Sequence, residues 1–426
     1  MKQIQFDTLE ETLWEGQLPN GLRLMIVPKP DYHSVYAMLT VAFGGLHTAI
    51  RINPSCSVPI ASGAAHFLEH KLFEGPNGED ISMQLLKNGA TANAFTTLFQ
   101  TSYTLSCTME VEKNIQSLLD FVQRPYFSQE GVEKEKSIIT QEWSMYQDDP
   151  YAKLYQTTLA QLYPQHAVAQ DILGTYESIQ QMDAQQLCQW HQFGYLPENM
   201  CLVIVGNIEV ERLVAFLVDT QTQSSQEAYH FPLEIPAVPV ISEGTIYHDI
   251  SQPLVALGLR LPLPQGNKHA LLDRLQVDIL VEMLVGPTSA NYQYWYDQQW
   301  IDEHYYITTV SHETLHFIYL EGHTDAAESL LDAWQNVWAH WHTQSDWNES
   351  QFHQIIRGKK GDFIRSLNDL ETIATDVTEG VLHGYCHFEL LQCLEQLTFA
   401  DMQTFAQHYL TDVQSTIVKM FPLQVE

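Results

Sequence analysis

The chain has 426 residues, with 52 Asp and Glu against 20 Lys and Arg and a formal net charge of −32 at pH 7. Such a charge disfavours nucleic acid and anionic membrane surfaces as partners and attracts cationic peptides. The length exceeds what one hydrophobic core usually holds, no run is long and apolar enough to span a membrane, and the N-terminal "MKQIQFDTLEETLWEG" lacks an apolar signal core. A two-domain cytoplasmic protein is expected. The cysteines are scattered without a C-x-x-C, so they are expected to stay reduced.

In chain order, "EGQLPNGLRLMIVPKP" reads as a hairpin turning at Pro-Asn-Gly, followed by the strand "SVYAMLTVAFGG". Helices are expected near 62–74 and 79–88, strands in "ATANAFTTL" and "TSYTLSCT", and helices near 110–123 and 128–147. The stretch 222–240, polar and then proline-rich, reads as an extended connector. Strands follow in "GTIYHDI" and "LVALGLRL", then helices near 268–285 and 289–299. Strands "HYYITTVS" and "LHFIYLEG" and helices near 325–341 and 347–367 complete the series. The order of element types repeats while the sequence hardly does. The expectation is an α+β fold of two similar sandwich domains, 1–221 and 241–426, each a sheet with helices on one face.

Chemistry concentrates in "AAHFLEHKLF", which spells H-x-x-E-H on a helix that Ser62 is expected to cap and Gly75-Pro76 to stop. His66 and His70 are one turn apart on one face, a spacing that lets two imidazoles share a tetrahedral Zn²⁺. Glu69 lies near that face and is free to act on water at the metal. A hydrolytic zinc site needs a third protein ligand, and the helix near 128–147 offers candidates. Its apolar arc is read as Val132, Ile138, Ile139, Trp143, Met145 and Tyr146, with Glu135 and Glu142 inside it. Buried carboxylates are costly unless paired or bound to a metal. A second motif, His312-Glu313-Thr314-Leu315-His316, spells H-E-x-x-H, but its neighbours are rich in β-branched and aromatic residues. A turn between strands is expected there, not a helical zinc site.

Together, "HFLEH", "EKEKSIITQE", "NGATANAFTT" and "YLPENMCLVIVGNI" resemble the insulinase/pitrilysin-type zinc peptidases. These are the inverzincins, which include the catalytic subunit of the mitochondrial processing peptidase. The resemblance implies a zinc metalloendopeptidase cleaving extended peptides or unfolded segments, with one Zn²⁺ per chain. It implies His66, His70 and Glu142 as ligands, Glu135 as their supporting acid, and Glu69 as the base acting on zinc-activated water. It further implies substrate pairing along Ala92-Asn93-Ala94, and a homodimer or a heterodimer with a paralogous chain. The family's second-half Arg and Tyr help hold the substrate carbonyl. The corresponding "SANYQYWYDQQWIDEHYYI" has no Arg, and Tyr305 or Tyr306 would supply the tyrosine. Two alternatives stand beside this reading: a subunit inactive without a paralogous partner, and a peptide-binding scaffold.

Overall fold

A computed structural model describes residues 1–76, 78–222, 229–264 and 270–423. Of the expected connector, 223–228 lie outside the described residues, as do 268–269 of one expected helix. The strands are β1 Lys2–Phe6, β2 Glu11–Gln17, β3 Arg23–Pro28, β4 Val35–Val41, β5 Ala49–Asn53, β6 Cys56–Pro59, β7 Ala90–Thr96, β8 Thr101–Cys107 and β9 Met200–Gly206, then β10 Glu243–His248, β11 Leu254–Arg260, β12 Tyr306–Ser311, β13 His316–His323 and β14 Gln414–Pro422. Seven form one sheet in the order β1-β2-β3-β9-β4-β8-β7, and five form another in the order β10-β14-β11-β13-β12. β5 and β6 make a small hairpin that the sequence pattern did not announce.

The helices in the first part of the chain are α1 Ala64–Lys71, α2 Ile81–Lys87, α3 Val111–Gln123, α4 Gln129–Asp148, α5 Pro150–Leu162, α6 Tyr176–Gln181, α7 Ala184–Gly194 and α8 Val210–Thr220. Later come α9 Ala270–Val285, α10 Ala290–Asp297, α11 Ala327–Ala339, α12 Glu349–Ser366 and α13 Leu370–His383. Strand residues alternate between faces. On β4, Val35, Ala37, Leu39 and Val41 face one core with Phe67 and Leu68 of α1, Leu118 of α3 and Val132 and Ile139 of α4. The second sheet repeats the arrangement, with Val255, Leu257, Ile318 and Leu320 against Leu280, Leu284, Trp334 and Phe352. The α+β sandwich read from the sequence is therefore present in both halves.

Each sheet is also covered on its other face, by a helix from the opposite half. Met38, Val203 and Val205 of the seven-stranded sheet pack against Leu370, Ile373, Ala374 and Val377 of α13. Ala256, Phe317, Tyr319 and Met420 of the five-stranded sheet pack against Leu154, Leu159 and Leu162 of α5. Burying a residue such as Ile373 or Leu159 contributes about 1.5–3 kcal/mol. Gly258 makes the second seat possible, since a Cβ there would meet Leu162 Cδ1 at 2.7 Å. Arg260 then donates to Leu162 O at the end of α5 and to Pro236 O and Val238 O of the connector. Burial on both faces explains why β4 ("VYAMLTV") and β9 ("MCLVIVG") are buried throughout.

Three buried histidines give the fold a pH dependence. His47, His191 and His316 lie inside and face the carbonyls of Gly44, Val122 and Pro262. Burial pushes each imidazole down to about 4, and the carbonyl only partly offsets it. The unfolded chain takes up these protons near 6.5 while the folded chain refuses them. Stability is thus full above about 6.5 and lost as pH falls toward 4, by up to about 3 kcal/mol per histidine. The melting temperature is expected to fall between pH 7 and pH 5, and His316→Gln to shallow that slope. A melting temperature flat across this interval would contradict the argument.

Candidate active site

The chain enters α1 through Gly63, not through a Ser62 cap. Gly63 has φ +83°, and a Cβ there would meet Leu173 O at 2.2 Å, so the entry needs glycine. α1 carries His66 and His70 on consecutive turns, with ring centroids 4.6 Å apart. α4 packs across α1, its start capped by Ser128 Oγ accepting from Gly131 N at 3.0 Å. The inward stripe of α4 is Val132, Glu135, Lys136, Ile139 and Glu142, with the two glutamates half-buried. The expected arc is thereby corrected: Ile138, Met145 and Tyr146 are 43%, 72% and 45% exposed. Its two carboxylates nonetheless face inward.

His66 Nε2 lies 3.7 Å and His70 Nε2 3.3 Å from Glu142 Oε2, and the three donor atoms all fall within 4.8 Å of one another. Donors held on a metal at roughly 2.1 Å and a tetrahedral angle sit about 3.4 Å apart, so two imidazoles and a carboxylate at this spacing fit a zinc ion. His70 Nδ1 faces Glu135 Oε1 at 3.1 Å, which fixes the ring and leaves Nε2 directed at Glu142. Burial alone would lower the His70 imidazole, but hydrogen bonds with Glu135 and Glu142 reverse this and hold it at about 10 without an ion. The close approach of His66 and His70 holds the Glu142 carboxyl far below its ordinary value. A metal ion would take the place of the proton these groups share.

Glu69 is 9% exposed, and Thr96 Oγ1, at the end of β7, donates to its Oε2 at 2.6 Å. Nothing in the sequence pattern had singled out Thr96. β7 is the sheet's edge strand, paired on one side only with β8. Ala92 and Asn93 line, together with His70 and Glu135, an open cavity of about 1040 Å³. Ala94 N donates to Asn93 Oδ1 at 2.9 Å, a local partner that an incoming strand can replace.

The second-half tyrosines sit elsewhere. Tyr305 packs against Trp295 and Trp334 and donates to Val285 O at 3.3 Å, which ties it to its own domain core. Tyr306, 52% exposed on edge strand β12, borders a separate cavity with Tyr151, Tyr155 and Glu321. The H-E-x-x-H stretch is a turn: His312 N donates to Leu315 O at 2.8 Å, between β12 and β13. His312 stacks on Phe99 and His316 is buried against Pro262 O. Neither belongs to a metal-competent donor group among the described residues.

The family model described as "Insulinase (Peptidase family M16)" matches residues 59–176, the stretch holding His66, Glu69, His70, Glu135 and Glu142. The "Uncharacterized zinc protease YmfH" of Bacillus subtilis is 32% identical over 99% of each chain. The chain belongs to the M16 insulinase family. A second M16 model, "Peptidase M16 inactive domain", matches residues 181–359. Among solved M16 structures, an M16-like peptidase from Alicyclobacillus acidocaldarius aligns with a TM-score of 0.90 and 27% identity, over 98% of this chain and 99% of the other. A protease from Helicobacter pylori aligns with a TM-score of 0.81 at 17% identity, over 96% and 99% of the two chains, and shares the fold.

Proposed function

We propose that this M16 chain is a zinc metalloendopeptidase for extended peptides or unfolded segments, with His66, His70 and Glu142 holding one Zn²⁺. The observation that carries the reading is the tetrahedral-edge spacing of those three donors beside a buried, oriented Glu69. When bound, the ion supplies Lewis acidity toward water and the scissile carbonyl. Glu135 keeps the His70 ring in place. Thr96 Oγ1 occupies Glu69 Oε2, which leaves Oε1 to take a proton from water and pass it to the departing amine. A substrate strand added along Ala92-Asn93-Ala94 satisfies the outward backbone groups of β7 and lays its peptide bonds beside α1. The acidic chain favours basic peptides electrostatically.

A second reading, a chain that needs a paralogous partner for turnover, is favoured by one observation. The 289–307 region holds no Arg, and its Tyr305 hydroxyl is committed to Val285 O. Size-exclusion chromatography followed by mass spectrometry of a mixed peptide library incubated with each peak separates the two. Cleavage by the isolated chain, lost to a chelator and restored by Zn²⁺, is expected. Intact peptides in every peak, with turnover appearing only beside a second chain, would establish the partner reading. Peptides retained but never cut would leave a scaffold.

A further inference from the structure

A second set of donors converges in the other half of the molecule. Asp302 and His304 lie in the loop before β12, and His323 ends β13. Each offers one donor atom, and the three atoms lie within 4.8 Å of one another. His304 Nδ1 is 3.3 Å from Asp302 Oδ1, and His323 Nδ1 is 3.4 Å from Asp302 Oδ2. Both separations are longer than a well-made N–H···O hydrogen bond, and they run to the two different oxygens of Asp302, so one carboxylate stands between the two imidazoles. On α1 and α4 the corresponding 3.3 Å and 3.7 Å both run to a single oxygen, Glu142 Oε2.

The arrangement is held before any ion arrives. His304 N donates to Asp302 Oδ1 at 2.8 Å, which closes the Asp-x-His turn. The Tyr151 ring stacks on His304 at 6.4 Å and 15°, fixing its plane. His323 is anchored by strand pairing with Leu254. The two imidazoles stand at 84° with centroids 6.1 Å apart. His323 Nδ1 is buried and makes no hydrogen bond, a cost the fold carries unless something binds there.

We propose that Asp302, His304 and His323 bind a divalent transition-metal ion, zinc foremost, at a site separate from the His66–His70–Glu142 cluster. Two imidazoles and one carboxylate suit Zn²⁺, Co²⁺, Ni²⁺ or Cu²⁺; Ca²⁺ and Mg²⁺ call for an all-oxygen shell. His304 also lines the cavity of about 500 Å³ shared with Tyr151, Tyr155, Tyr306 and Glu321, so a ligand position left open by the protein lies beside solvent. Tyr151 belongs to α5, the first-half helix seated on the second sheet. An ion here therefore ties the 302–304 loop to the end of β13, beside that helix. The proposal does not depend on the peptidase reading.

The test uses Zn²⁺ alone, by equilibrium dialysis at buffered free zinc and elemental analysis of the full chain. The wild type is expected to hold two ions per chain at saturation. His66→Gln/His70→Gln and His304→Gln/His323→Gln should each hold one, and the combination none. Zn²⁺ should also raise the melting temperature of His66→Gln/His70→Gln, and Asp302→Asn added to it should abolish the rise. A single ion in the wild type that His66→Gln/His70→Gln removes overturns the proposal, whereas a single ion that only His304→Gln/His323→Gln removes supports it and counts against the peptidase reading. An extra ion that survives His304→Gln/His323→Gln, which would place it on other histidines, also overturns the proposal. Should that double variant fail to fold, absence of zinc binding by His66→Gln/His70→Gln overturns it equally. Loss of peptide cleavage with both ions retained would bear on the peptidase reading alone.

Discussion

Glu69→Gln is expected to lower peptide turnover by about 10²–10⁴-fold, the usual contribution of a positioned general base, with zinc content unchanged. The amide matches the carboxylate in size and can still accept from Thr96 Oγ1, so α1 and β7 keep their contact. What it loses is the ability to take up a proton. Glu69 stands outside the donor group on His66, His70 and Glu142, so the metal should stay. The fall should appear in kcat with KM little changed, since the proposed function places the substrate strand along β7 and not on this side chain. Turnover equal to wild type, with zinc present, would remove Glu69 from the proton-transfer role.

The second large effect concerns retention of the metal. Glu142→Gln replaces the one anionic donor by a neutral amide, leaving two imidazoles to hold the ion. Zinc affinity should fall by more than the roughly 10–100-fold that loss of a supporting outer partner costs. Glu135→Gln supplies that milder comparison, because Glu135 touches only the far nitrogen of His70. Dialysis of wild type, Glu135→Gln and Glu142→Gln against a graded chelator series, with zinc counted after each step, should rank them in that order. Glu142→Gln retaining zinc as well as wild type would remove Glu142 from the ligand set.

How much of this was legible in the sequence differs from element to element. The helix expected over 128–147 is observed as Gln129–Asp148, because Ser128 signals its start unambiguously. Its inward face was harder to place. Counting apolar residues drew in Ile138, Met145 and Tyr146, all exposed, since the stripe that turns inward spends two of its positions on carboxylates for the site. Local pattern rules fail most readily where side chains serve chemistry and not packing. The uninterrupted apolar runs of β4 and β9 carried a sign of two covered faces, but nothing local says which helix does the covering. Thr96 and the Asp302–His304–His323 group were invisible for a similar reason. The Thr96–Glu69 and His323–Asp302 contacts each join a strand end to a distant segment, and no fixed spacing along the chain encodes them.

The loan of α5 to one sheet and α13 to the other has a further consequence. Chain order and structural self-sufficiency do not coincide in this molecule. A fragment ending at the connector would leave α5 without its sheet, and the remainder would turn Ala256, Phe317 and Tyr319 toward water. The halves are interlocked and should come apart only by unfolding together, as one cooperative unit. A wide hinge motion between them would strip both covered faces at once. On the proposed function, a peptide would then reach the His66–His70–Glu142 cluster by the open margin of β7, along the edge the sheet already presents.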